Sequence, residues 1–392
     1  MRIGIIGSGV AGSVLAEMLQ GLPGLTVDAY DRLPPDGAED AGTGLNLGPN
    51  AMKVLRLHLP ARHDALCQAS LPWSHWFIDL ADGRRLFDLP LAEVAEEPGC
   101  RLRWADLYRL LRSPVAQRTH FGLELVAVEE DAVGRLVPVL EAPDGTRLRP
   151  LGYDWLVAGD GRYSRLRELT AGAPRPRFHG VAMSRLVVPD ATDCPYDDYG
   201  QWFNGNARLL SYRLPGGAAY IAGAFPLASA EAGIPTEART PGFQRALYTP
   251  RTGGTCLAVA WMVERLAAGV GSIHWARLQE APLQRTAAAG RVLFLGDAAH
   301  AMVPTLGQGA TQAIEDGVVA GAVLRRGGVP EDVAAWRDIR AAFVRDFSLE
   351  ATDTLFPGAD PVAGSIAKRS PEFLAKLRRL YRDVPGPEDL VL

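Results

Sequence analysis

A chain of 392 residues, 47% hydrophobic and 22% charged, has the length for one large or two ordinary domains and the composition of a globular protein. Its net charge of −4 gives no electrostatic footprint for nucleic acid or for an anionic membrane surface. The four cysteines (67, 100, 194 and 256) form no CxxC pair, no apolar run approaches the ~18 residues of a membrane span, and the opening MRIGIIGSG lacks a signal-peptide pattern, so a cytoplasmic protein without metal, nucleic-acid or membrane partner is expected.

Residues 2–6 (RIGII) read as a short buried strand, and Gly7-Ser8-Gly9-Val10-Ala11-Gly12 follows at once. Ala11, Val14, Leu15, Met18 and Leu22 then recur on one helical face, and a second strand, Thr26–Tyr30, ends at Asp31-Arg32. This is the βαβ dinucleotide fingerprint in its proper context. Gly7 permits the tight turn, Gly9 lets backbone approach a pyrophosphate, Gly12 lets helix pack on strand, and Asp31 stands where a carboxylate holds an adenosine ribose. A carboxylate there favours an unphosphorylated ribose, hence FAD or NAD rather than NADP.

Gly42, Gly44 and Gly48 imply close backbone approach or positive φ in the next loop, and a helix opens near Asn50. Residues 70–100, with Trp73, His75 and Trp76, read as strands outside the nucleotide domain. Arg101–Arg112 reads as a helix whose arginines form a solvated face or meet a cofactor phosphate. A buried strand, Asp154–Ala158, ends in Gly159-Asp160-Gly161. Residues 175–265 read as a second, largely antiparallel sheet domain with strands at Arg208–Leu214, Ala219–Phe225 and Thr255–Val263; alternation puts Ser211 and Arg213 on one face and Tyr212 on the other. Val292–Leu295 is another buried strand, followed by Gly296-Asp297, Pro304 and a helix opening at Gly307-Gln308-Gly309. An acid at a strand end, a Gly-rich turn and a fresh helix N-terminus coincide there, so free N–H groups and the positive end of the helix dipole point at whatever occupies the turn. Pro330–Phe347 and Phe373–Tyr381 complete the helices.

The succession GSGVAG, Asp31-Arg32, AGDG at 158–161, LGDAAH at 295–300 and PTLGQGATQAIED at 304–316 resembles the single-component FAD-dependent aromatic hydroxylases, the para-hydroxybenzoate hydroxylase superfamily. GTGLNLGPNAMKVL at 42–55 is most similar to the members of the 6-hydroxynicotinate 3-monooxygenase and salicylate hydroxylase type. The resemblance implies an α/β fold: a Rossmann-type FAD-binding domain (1–70, 101–174 and 266–345), an inserted, mostly antiparallel substrate domain (71–100 and 175–265) and a C-terminal helical segment (346–392). It implies FAD as cofactor, NAD(P)H as transient reductant, and hydroxylation of a small aromatic or heteroaromatic substrate by O2 through a C4a-hydroperoxyflavin. The single nucleotide fingerprint agrees with transient NAD(P)H binding.

On that resemblance Gly7, Gly9, Val10, Ala11 and Gly12 would bind the FAD pyrophosphate, and Asp31, with Arg32 beside it, the adenosine ribose. Gly44 is counted with the cofactor contacts, Asp160 belongs to a motif linked with both FAD and the nicotinamide nucleotide, and Gly296-Asp297 would meet the ribityl or pyrophosphate region. Pro304, Gly307, Gln308, Gly309 and Ala310 would lie along the isoalloxazine, and His300 is read as structural. The family's R-x-D-L arginine is displaced: Trp104 holds its place and Arg103 lies one residue earlier, leaving open whether Arg103 reaches FAD. Candidate bases are Tyr212 and, through water, His179; Asn46 stands where some relatives carry a histidine base, which counts against that route; Arg213 could pair with a substrate carboxylate. An FAD reductase or dehydrogenase without oxygen insertion, a flavin-binding redox scaffold and a plain NAD-dependent dehydrogenase stay open, as does the choice between monomer and homodimer.

Overall fold

Parallel strands need crossover connections, usually helices, which cover the faces of their sheet. The computed structural model, which describes residues 1–35, 43–386 and 388–390, has that arrangement in a six-stranded sheet. Its order is Thr286–Ala287, Val292–Phe294, Trp155–Ala158, Arg2–Ile6, Thr26–Asp31, Thr119–Phe121, and only Thr286–Ala287 runs antiparallel to its neighbour. Gly42 lies outside the described residues.

The helix Val10–Met18 packs along the helix Gln308–Arg325. A Cβ on Gly317 would lie 2.8 Å from Ala11 O, and one on Gly321 would overlap Met18 Cβ, so the two backbones touch. The contacts advance together along both helices. At 1.5 Å per residue, the helix start at Gln308 therefore stands about 13 Å beyond the dinucleotide turn.

Alternating apolar residues with Gly/Pro turns build the second sheet. Seven strands run in the order His274–Glu280, Arg177–Val188, Ala219–Pro226, Ala207–Arg213, Tyr199–Asn204, His75–Leu80, Arg85–Pro90; all pairs are antiparallel except Tyr199–Asn204 with His75–Leu80. One face packs Tyr199, Tyr212 and Tyr220 in a core shared with Leu306, Phe347 and Phe373. The other face is covered by the helices Pro241–Tyr248 and Leu257–Ala268. A small sheet of Gly44–Leu47, Gly99–Arg103 and Leu71–Trp73 joins the two halves.

Two local expectations are corrected. Thr255–Val263 is not a strand: Leu257–Ala268 is a helix, because its buried residues Val259, Met262, Val263 and Leu266 recur at helical spacing. The expected helix from Arg101 begins at Trp104, since Gly99–Arg103 pairs with Gly44–Leu47 as a strand. Among the described residues no helix is long and apolar enough to cross a membrane, and no cluster of side chains has a metal site's composition.

Candidate functional site

A cavity of about 910 Å³ runs between the two large sheets. At its nucleotide end, Gly7 has φ 91°, donates its N–H to Tyr30 O at 2.7 Å, and leaves no room for a Cβ, which would fall 2.5 Å from Asp160 N. The turn is therefore folded directly onto Gly159-Asp160, and the two strand ends form one wall. Gly9, Val10 and Ala11 line the cavity, whereas Gly12 packs helix against strand and does not. Asp31 accepts hydrogen bonds from Ser8 N (2.8 Å), Leu33 N (2.9 Å) and Arg112 (3.0 Å). Arg32 follows it on the same wall. Asp160 accepts from Leu166 N at 3.2 Å through one oxygen, while the other is buried without a partner; burial pushes its carboxyl up from the usual range. Asp297 opens the short helix Asp297–His300 and pairs with Arg162 at 3.6 Å.

Further along, Gly307 takes the left-handed conformation at φ 65°, and a Cβ there would overlap Asn46 Nδ2. A side chain would separate the helix from the strand Gly44–Leu47. No side chain caps the helix Gln308–Arg325, so the first N–H groups at Gly309 and Ala310 are left to the cavity they line. Asn46 Nδ2 is buried beside them without a partner. Gly44, Gly296 and Pro304 also line the cavity. Gln308 turns inward and accepts from Asn50 Nδ2 at 3.0 Å. Behind the helix, His300 Nε2 lies 2.6 Å from Asp316, fully buried, as a structural residue would. Burial alone would raise the Asp316 carboxyl; Arg285, His300 and Arg337 hold it well below the usual range.

The remaining wall comes from one face of the seven-stranded sheet. Strand register puts Tyr220 beside Tyr212, and Tyr199 stacks on Tyr212 with ring centroids 5.8 Å apart. The next rows hold Arg185 beside Ala222 beside Leu210, and Met183 beside Ala224 beside Arg208. Burial pushes all three phenols up, Tyr199 to about 12 and Tyr212 well above its ordinary value, so Tyr212 is a neutral hydroxyl at neutral pH. Arg208 is 3% exposed, its Nε is buried without a partner, and among the described residues its side chain has neither hydrogen bond nor carboxylate. Burial pulls its pKa down.

Besides Gly12 and Gln308, three expected residues stand outside the cavity. Arg213 lies on the opposite face of its strand and donates to Ala191 O at 3.2 Å. His179 stacks on Phe356 with centroids 5.3 Å apart and lies 3.4 Å from Glu280. Arg103 is half-buried, pairs through its backbone with Gly44, and lies outside the cavity lining. In their place the wall carries Arg112, Arg185, Arg208, Tyr199 and Tyr220. The alternation that put Arg213 opposite Tyr212 also puts Arg208 with it, a signal readable from the sequence.

The cavity has the donors and acceptors that FAD needs: free N–H groups at a dinucleotide turn, an uncapped helix N-terminus, and buried unpartnered atoms on Arg112, Asn46 and Asp160. A sequence family described as an FAD binding domain matches residues 272–327. The 6-hydroxynicotinate 3-monooxygenase of Bordetella bronchiseptica is 27% identical over 350 residues, 86% of this chain and 86% of that protein. The salicylate hydroxylase of Pseudomonas putida is 28% identical over 410 residues, 93% of this chain and 88% of that protein. The chain groups with the FAD-dependent aromatic hydroxylases. Crystalline Klebsiella pneumoniae HpxO complexed with FAD and uric acid shares the fold, with a TM-score of 0.75 at 22% identity, covering 100% of this chain and 96% of that one. As a flavoprotein monooxygenase, this hydroxylase takes FAD as its cofactor and has the α/β fold expected of it.

Proposed function

We propose that this hydroxylase acts on a small aromatic or heteroaromatic anion, with NAD(P)H as transient reductant and O2 as oxidant. The observation that carries the reading is Arg208, a buried cation with no counter-ion on the wall of the cavity that the uncapped helix also lines. Leaving a buried charge unpaired costs several kcal/mol, so such a residue fits a site where an anion arrives. Arg185 adds a second guanidinium two strands away, and Ala222 between them leaves room for a flat ring. The relatives are named for 6-hydroxynicotinate and salicylate, acids of this size.

The chemistry FAD supplies when bound is two-electron reduction by a nicotinamide nucleotide and delivery of one atom of O2 to an electron-rich ring. The chain's own residues do the rest. Gly9 to Ala11 would receive the pyrophosphate, Asp31 the adenosine ribose and Asp297 the ribityl chain. The N–H groups of Gly309 and Ala310 offer positive potential without a side-chain charge. Arg208 and Arg185 bind and orient the substrate anion. Met183, Leu210 and Ala222 give that wall an apolar surface that excludes water. Tyr212, held neutral, donates a hydrogen bond rather than removing a proton. No Asp, Glu or His stands among the described residues of this wall, so the substrate binds already ionised. Residues 71–100 and 175–265 are the substrate side in this reading, residues 1–70, 101–174 and 266–345 the flavin side, and 346–392 the segment behind them.

Anaerobic mixing of the yellow protein with NADH or NADPH tests this. Acidic hydroxypyridines or hydroxybenzoates should accelerate flavin reduction, and Arg208→Gln should abolish the acceleration at low ligand concentration. Equal acceleration by uncharged ring analogues would sink the reading.

A further inference from the structure

Arg112 ends the helix Trp104–Arg112 and is 6% exposed. Its Nε donates to Ser8 O at 2.8 Å and its Nη2 to Asp31 at 3.0 Å. The guanidinium carbon lies 5.1 Å from the Tyr108 ring centroid and 5.9 Å from that of Phe121. Nη1 is buried with no partner, and Arg112 lines the cavity beside the dinucleotide turn. A clamp between Ser8 and Asp31 needs only the two nitrogens already used. The guanidinium is a fork of five donors, and burying a prong unpaired costs about 1–3 kcal/mol. Free N–H groups of the turn line the same space, where they favour a phosphate. Asp31 already accepts three hydrogen bonds, which leaves room for about one ribose hydroxyl among a carboxylate's roughly four acceptor sites.

We propose that Arg112 holds the adenosine monophosphate half of FAD through Nη1, the contact that the displaced Arg103 does not make. The inference rests on the flavin reading and assigns one of its residues. Arg112 acts here as a binding residue that also fixes the acid for the ribose.

Affinities for FAD and for FMN, which lacks the adenosine half, are read by flavin fluorescence on the full chain, alongside the thermal midpoint without flavin. Arg112→Gln should weaken FAD about 10- to 100-fold, the worth of a charge-assisted hydrogen bond. FMN affinity should stay within about 3-fold, because FMN does not reach Nη1. Arg112→Lys keeps the charge beside Asp31 but not the fork. It should lose FAD affinity to an intermediate degree at an unchanged midpoint, and it carries the test if the glutamine variant does not fold. Unchanged FAD affinity in a folded variant overturns the assignment. So does an equal loss of FAD and FMN affinity, which would mean that Arg112 only supports the turn. Wild-type protein that binds no FAD would defeat the flavin reading instead.

Discussion

On the proposed reading Arg208 sets the substrate class, and it does so at a cost to the fold. A guanidinium taken from water without a counter-ion destabilises the folded state. Arg208→Met should therefore stabilise the protein by about 1–3 kcal/mol in denaturant melts while raising KM for an acidic substrate about 10- to 100-fold. Loss of stability in that variant would mean that Arg208 has a protein partner after all. Arg208 was legible in principle, since it shares its strand face with Tyr212. What hid it was depth: alternation tells which face a residue takes, not whether that face meets a ligand or another layer. His179 failed for a related reason. Its strand was foreseeable, but not that its ring would stack on Phe356, a residue far along the chain.

The helix Gln308–Arg325 must be held in place if its start is to meet the flavin ring. Two devices hold it. The first is contact with the helix Val10–Met18 through Gly317 and Gly321. Alanine in a helix is ordinarily better than glycine by about 1 kcal/mol. Gly321→Ala should reverse that sign, costing about 1–3 kcal/mol of stability and some FAD retention, because its Cβ would overlap Met18. A variant at least as stable as the parent would contradict this close packing. The second device is buried charge. Glu315, fully buried, accepts from Arg337 at 2.8 Å, Arg340 at 2.5 Å and Asn50 at 2.5 Å. Burial raises its carboxyl, but Arg340 and Arg337 more than offset this and bring it to about 2. Because the folded-state pKa lies below the unfolded one near 4.5, this stability is present above pH 4.5 and is lost as pH falls towards 2. The loss should be of the order of 3 kcal/mol. Acid melts should show it, and Glu315→Gln should remove that part of the pH dependence while lowering stability at neutral pH.

The elements of the nucleotide half were readable because each needs a special residue at a fixed place: a glycine at φ 91° for the turn, a left-handed glycine before the helix, an acid at a strand end. The segment Leu257–Ala268 was not, since an apolar run rich in Val and Ala fits both periods until packing chooses one. For Arg112 the sequence allows both a solvated face and a phosphate contact, and a helix read alone gives no means of choosing.

At the scale of the molecule, the parallel sheet brings two Gly-Asp strand ends and one dinucleotide turn together at one end of a cavity. The antiparallel sheet supplies the other end, with cations and neutral phenols and, among its described lining residues, no acid. A cofactor held at the first end and an aromatic anion at the second make oxygen transfer between them the central claim. Mass spectrometry of the product formed with NAD(P)H, isotopically labelled O2 and an acidic hydroxypyridine or hydroxybenzoate tests it most directly. The account predicts a hydroxylated product carrying one labelled oxygen atom; a product formed at full rate without label would contradict it.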